Sequence, residues 1–158
     1  MGFDVKTGLV VRGGESLPEN LAVRKSICDL QDKMVEMFGE QENTDHVAPL
    51  NHYFCSGNYA REIFIPAGVC IIGKIHKHEH INVLSKGRCV VVTEEGREIL
   101  EAPKTWISKP FIKRAVYAYE DVVWTTVHPT DAETVEEAEK SVIVDTFKEL
   151  EEFKRGDA

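Results

Sequence analysis

From Asn51 to Thr130 the sequence is a succession of short apolar runs separated by residues that turn the chain. Candidate strands fall at 60–65, 69–78, 81–84, 88–93, 97–102, 106–108, 114–117 and 122–128. Between them stand Pro66-Ala67-Gly68, Ser85-Lys86-Gly87, Glu94-Glu95-Gly96, Pro103 and Tyr119-Glu120-Asp121. Connections this short join antiparallel neighbours, whereas parallel strands need crossovers of about a dozen residues or more. The expected fold class is therefore mainly β: a small antiparallel barrel or sandwich, not a βαβ architecture.

Helices are expected on both sides. Ser16-Leu17-Pro18-Glu19 matches a capping box, and Val23, Ile27, Leu30, Met34 and Met37 follow at spacings of three and four. That predicts an amphipathic helix to about Phe38, ended by Gly39. Its stripe is wide enough to dock on a barrel or on a second subunit, so a homodimer is expected. Residues 1–50 form an N-terminal arm and helix, with a short apolar piece at 8–12 and a polar linker over 40–50. Residues 51–130 form the barrel. In residues 131–158, Asp131 is placed to cap a helix over 132–142, and 144–153 continues with Phe147, Leu150 and Phe153 on one face. All of this fits one globular domain, since 158 residues suffice for a core without disulfides.

Charge and cysteines remove several function classes. The net charge is −8, which argues against nucleic-acid binding through a general basic surface. The middle section, 51–130, nevertheless carries 10 basic and 8 acidic groups, between flanks at −4 and −6. A small anion would be met there. Cys28, Cys55, Cys70 and Cys89 show no CxxC spacing and no paired framework, and no apolar run is long enough for a membrane span. A cytoplasmic location is expected, with Cys70 and Cys89 as small buried hydrophobes. There is no Gly-rich phosphate loop and no nucleophile-elbow motif.

Chemistry concentrates in one stretch. His76, His78 and His80 alternate, and alternate residues of a strand share a face. Imidazoles converging on one face are common ligands for a borderline transition metal, and Zn, Fe, Mn and Ni are all compatible. On a straight strand, however, residues four apart are separated by about 13 Å. A bend at Glu79 is required before His76 and His80 can share an ion. Glu62, on a neighbouring strand, is a candidate carboxylate ligand. Lys74, Lys113 and Arg114 are candidate anion-binding residues, with Tyr117 and Trp124 as aromatic wall. His52 reads as a loop histidine, and His128 as the maker of a structural hydrogen bond.

The stretch around His76 resembles the first motif of the cupin superfamily, in which a His-x-His pair precedes a glutamate, six residues and a glycine. Here Ile75-His76-Lys77-His78 supplies the pair and Gly87 the glycine, while the position seven before Gly87 holds His80 in place of the glutamate. From His78 to that position the spacing is shorter than the family's by two or three residues. The second cupin motif corresponds to residues 108–117, where Lys113 and Arg114 occupy the region of the family's last histidine. Residues 59–130 also resemble cupin-like proteins encoded by tailed phages, through Tyr59-Ala-Arg-Glu-Ile-Phe-Ile-Pro-Ala-Gly68 and Tyr117-Ala-Tyr-Glu-Asp-Val-Val-Trp-Thr-Thr-Val-His128.

The resemblance implies a cupin jelly roll, and a host-cytoplasmic location if the chain is phage-encoded. The function expected is a metal-binding cupin-like protein that acts on or binds a small polar or anionic molecule in its barrel. Two alternatives stay open. One is a non-catalytic protein that sequesters a nucleotide or metabolite; the other is an interaction module dimerising through its N-terminal helix. A small-molecule partner is expected, and no nucleic acid or membrane.

Overall fold

The protein is described by a computed structural model that covers residues 19–38 and 47–156. The apolar piece at 8–12, the capping box at Ser16 and the terminator Gly39 lie outside the described residues. Among the described residues, eleven strands and three helices follow in the order α1 (Glu19–Phe38), β1 (Leu50–Cys55), β2 (Asn58–Ile65), β3 (Cys70–Ile72), β4 (Ile75–His76), β5 (His80–Lys86), β6 (Arg88–Thr93), β7 (Gly96–Glu101), β8 (Lys104–Ser108), β9 (Ala115–Ala118), β10 (Val122–Pro129), α2 (Val135–Val142), β11 (Ile143–Val144) and α3 (Phe147–Arg155).

Two antiparallel sheets make the body. One has the order β1-β2-β10-β5-β8, the other β3-β9-β6-β7. Consecutive strands repeatedly cross from one sheet to the other, which is jelly-roll connectivity. The fold is thus mainly β with flanking helices, as the turn spacing predicts. Gly87 shows why the turns are placed where they are. It joins β5 to β6 at φ +87°, and a Cβ there would lie 2.2 Å from the carbonyl oxygen of Asp121. No side chain fits.

Alternation decides what each strand presents inward. Ile63 of β2 stands opposite Trp124 of β10, which stands opposite Leu84 of β5. Two residues along, the same row reads Arg61, Thr126 and Asn82; beyond it, Tyr59 pairs with His128. One inner surface therefore runs from apolar to polar along its strands. At the apolar end Ile65, Leu84, Cys89, Val91, Leu100, Val116, Ala118, Val122 and Trp124 form the main core.

The flanking segments differ from the sequence reading in several places. β1 begins at Leu50, where the sequence shows only a linker running into the barrel. The strand expected at 69–78 is broken into β3 and β4. Thr134, not Asp131, caps α2, its Oγ1 accepting from the Glu137 amide at 3.3 Å. Residues 143–144 form a strand, and α3 starts only at Phe147, capped by Thr146. That strand has a physical cause. β11 pairs antiparallel with β4, Ile143 opposite His76 and Val144 opposite Ile75, so its backbone groups complete an edge that a helix would leave open. Leu150 of α3 then packs with Ile75 and Val144.

Helix α1 docks on its own chain. Ile27 is buried, Arg24 pairs with Glu94 at 2.9 Å, and the Arg24 guanidinium lies 4.1 Å from the centre of the Phe147 ring. No helix among the described residues is long and apolar enough to cross a membrane.

Candidate metal centre

Three histidines meet at the polar end of the interior. His76 comes from β4, His80 opens β5, and His128 lies near the end of β10. The chain bends at Lys77 and His78, between β4 and β5, and not at Glu79. The bend brings the His76 and His80 rings to 4.1 Å between centres. His128 stands 4.9 Å from His76 and 4.8 Å from His80 on the same measure. One ring nitrogen from each of the three lies within 4.8 Å of the others.

The remaining hydrogen bonds say which nitrogens are free. His80 Nδ1 is 3.0 Å from the His78 carbonyl oxygen. A carbonyl only accepts, so Nδ1 carries the proton and Nε2 is left with its lone pair. His128 Nε2 lies 3.1 Å from Thr126 Oγ1, and a proton donated there leaves Nδ1 with the lone pair. His80 Nε2, His128 Nδ1 and His76 Nδ1 are all buried and have no hydrogen-bond partner among the described residues. Buried polar atoms are nearly always satisfied. Three unpartnered imidazole nitrogens in one cluster fit a bound cation, because each offers an electron pair and a second contact that fixes the ring is in place for two of them.

Electrostatics favours the same state. Burial, first, and the neighbouring imidazoles, next, hold His76 well below the usual histidine range. Burial and then His80 push His128 down to about 3. Burial also lowers His80, against the opposing pull of its bond to the His78 carbonyl. At neutral pH all three rings are neutral, the form that ligates a metal.

A cavity of about 150 Å³ adjoins the cluster and has His76 in its wall. Its other polar lining is Arg61, Lys74, Asn82, Arg114 and Thr126; its apolar lining includes Ile63, Ile65, Ile71, Val116 and Trp124. Lys74 reaches out to Asp145, and Arg61 pairs with Glu139 at 3.1 Å. Arg114 instead donates to Ser108 Oγ at 2.6 Å. Ser108 also accepts from Asn82 Nδ2 at 2.8 Å, and Asn82 Oδ1 accepts from Trp124 Nε1 at 2.9 Å.

Of the residues singled out in the sequence, the structure gathers His76 and His80 at the cluster and Lys74, Arg114 and Trp124 at the cavity. Five others are placed elsewhere. His78 is exposed, its ring edge-on to Phe153 at 5.9 Å, and it touches the cluster only through its carbonyl. Glu62 faces away from the interior because its neighbours Arg61 and Ile63 face in; it bonds Asn51, Tyr53 and Thr125. Lys113 is buried beneath the C-terminal segment, donating to the Asp145 carbonyl at 3.3 Å. Tyr117 lies against Tyr119, on the opposite face of β9 from the core residues Val116 and Ala118. His52 is not a loop residue but lies in β1 opposite Arg61, and its ring contacts the Tyr59 hydroxyl at 2.7 Å.

His128 is the member that sequence reasoning left out. Its signal was parity: it shares the inward face of its strand with Val122 and Trp124. The other signal was spacing. Counting from His80 with three intervening residues, as the cupin motif prefers, lands on His76, which puts Lys74 in the first position of the pair and His78 outside it.

No family model matches the sequence, and no curated protein matches it. Solved structures do. Salicylate 1,2-dioxygenase from Pseudoaminobacter salicylatoxidans, in its gentisate adduct, superposes with a TM-score of 0.50 at 11% identity, covering 72% of this chain and 32% of the dioxygenase. A single-site mutant of that enzyme gives 0.51, with 72% and 34% covered. A Cupin_2 domain of an XRE family transcriptional regulator from Enterobacter cloacae matches at 0.44 and 10% identity, over 51% of this chain and 94% of that one. The chain thus spans about a third of the dioxygenase. At such identities the likeness to the dioxygenase shows the fold alone, a jelly roll.

Proposed function

We propose that His76, His80 and His128 hold one divalent transition metal, and that the protein binds or acts on a small polar or anionic molecule in the adjoining cavity. The observation that carries this is the convergence of three buried imidazole nitrogens that have no partner among the described residues. Three protein ligands leave coordination positions open, and a metal so held supplies a Lewis acid to whatever occupies the cavity.

The chain's own residues do the rest. The His78 carbonyl and Thr126 Oγ1 orient two of the rings. The pairing of β4 with β11 fixes the backbone of His76. The apolar part of the wall offers a surface for a nonpolar body, and Arg114 presents positive charge to an anionic group. Three imidazoles do not choose among zinc, iron, manganese and nickel.

Metal content tests the proposal. Untagged protein purified without added metal should carry close to one equivalent of a transition metal by elemental analysis, or take one up on titration. His80→Ala should reduce this to background. Less than about a tenth of an equivalent, with no uptake on titration, overturns the proposal.

A further inference from the structure

Among the described residues, the cavity wall holds three cationic side chains, Arg61, Lys74 and Arg114, and no carboxylate. Two of the three are neutralised from outside it, Arg61 by Glu139 and Lys74 by Asp145. Arg114 is not. Among the described residues it has no ion pair; its partner is the neutral hydroxyl of Ser108. The acid whose charge reaches it, Glu95, lies 3.8 Å from Lys109. A largely enclosed guanidinium without a counter-ion is costly, and an anion in the cavity removes that cost.

The Ser108–Asn82–Trp124 chain holds the guanidinium in one orientation, with nitrogens to spare for a forked contact. The rest of the wall is apolar, and about 150 Å³ accommodates a body the size of one benzene ring.

We propose that the cavity is a site for a small organic carboxylate, its carboxylate forked onto Arg114 and its compact apolar body against Ile65, Ile71, Val116 and Trp124. This deepens the metal reading by naming the ligand class for the same site, and Arg114 carries it whether or not a metal is bound. Ser108 is a positioning residue, acting through Arg114.

The test is a fluorescence titration with benzoate, read through Trp124 in the cavity wall, on metal-free and zinc-loaded protein. Benzyl alcohol is the uncharged control of similar shape, and inorganic phosphate the control for anion binding without an apolar body. Benzoate should saturate both forms and bind more tightly than either control. Arg114→Gln should weaken it by about tenfold or more, the usual worth of a hydrogen-bonded charge. Ser108→Ala, which keeps the guanidinium but frees it, should weaken benzoate less and leave benzyl alcohol unchanged; it also decides the matter if Arg114→Gln does not fold. Equal binding of benzoate and benzyl alcohol overturns the proposal. So does tighter binding of phosphate, benzoate affinity indifferent to both substitutions, or no benzoate binding at all. Arg114-dependent binding in a protein that takes up no metal would sink the metal reading and leave this one standing. Zinc uptake without benzoate binding would do the reverse.

Discussion

Trp124 and His128 lie on one strand, one full repeat of alternation beyond nearest neighbours, and both point inward. Around Trp124 the interior is closed. Its indole nitrogen donates to Asn82, its ring meets Trp106 edge-on at 5.1 Å, and Leu84 and Ile65 beside it are fully buried. Around His128 the interior is enclosed but chemically open, with three ring nitrogens that have no partner among the described residues. The two residues share a strand and an inward face; what differs is the residue types around them and, at the His128 end, the break between β4 and β5. One end therefore supplies stability, and the other holds buried polar groups whose cost is recovered only when something binds them.

The largest expected effect tests that division directly. Leu84→Ala should cost about 2–5 kcal/mol in urea unfolding, the usual range for a buried leucine. His128→Leu should leave the metal-free protein within about 1 kcal/mol of the parent, because it removes an unpartnered buried ring nitrogen together with one hydrogen bond to Thr126 and keeps an apolar group of similar size. If His128→Leu costs as much as Leu84→Ala, both ends are structural and the comparison fails.

The next effect is on pH dependence. His76, His80 and His128 all have folded-state values lowered by burial, His128 to about 3 from the usual 6.5. Below about pH 6.5 the unfolded chain binds protons that the folded metal-free protein refuses. Stability is then full above that pH and is lost as pH falls toward about 3. Carboxylates add their own loss only at the acid end of this window. Melting temperatures of metal-free protein should fall steadily from about pH 7 to about pH 5, and less steeply in His128→Leu. A flat profile there would mean that the rings are not buried as a neutral cluster.

How much of this was legible beforehand differs between the two ends for a physical reason. The closed end follows from alternation and turn spacing. Residues such as Leu84, Cys89, Val122 and Trp124 declare their face by being apolar, and Gly87 declares its turn. The histidine end depends on where a strand breaks. Regular alternation from His76 through His80 puts His78 in the set, and a bend at Lys77 and His78 takes it out. That bend depends on β11, a contact from residues 143–144 that helical periodicity around Phe147 and Leu150 conceals. His128 was readable from parity alone, but a histidine ending a strand before Pro129 gave no chemical prompt.

Thr126→Val comes next in size. It keeps the volume and the strand while removing the oxygen that fixes the His128 ring, and such outer contacts are typically worth about 10–100-fold in metal affinity. Competition titration with a chelator measures it. Unchanged affinity would mean that packing against His76 and His80, at 4.9 and 4.8 Å, holds the ring without the hydroxyl.

The smallest effect is expected where the sequence pointed most strongly. His78 belongs to the one run of alternating histidines, yet its side chain is exposed and its ring rests edge-on against Phe153. What it gives the cluster is its carbonyl oxygen, which accepts from His80 Nδ1 and thereby leaves Nε2 free to ligate. Every amino acid has that carbonyl. His78→Ala should therefore keep the tautomer of His80 and change metal affinity by about twofold at most, in line with a surface substitution. The same titration that detects the Thr126→Val loss would register no loss here. Should His78→Ala abolish metal uptake while His128→Leu does not, the ion sits between β4 and β5 on the outside of the bend, and the polar end of the interior is a core with histidines in it.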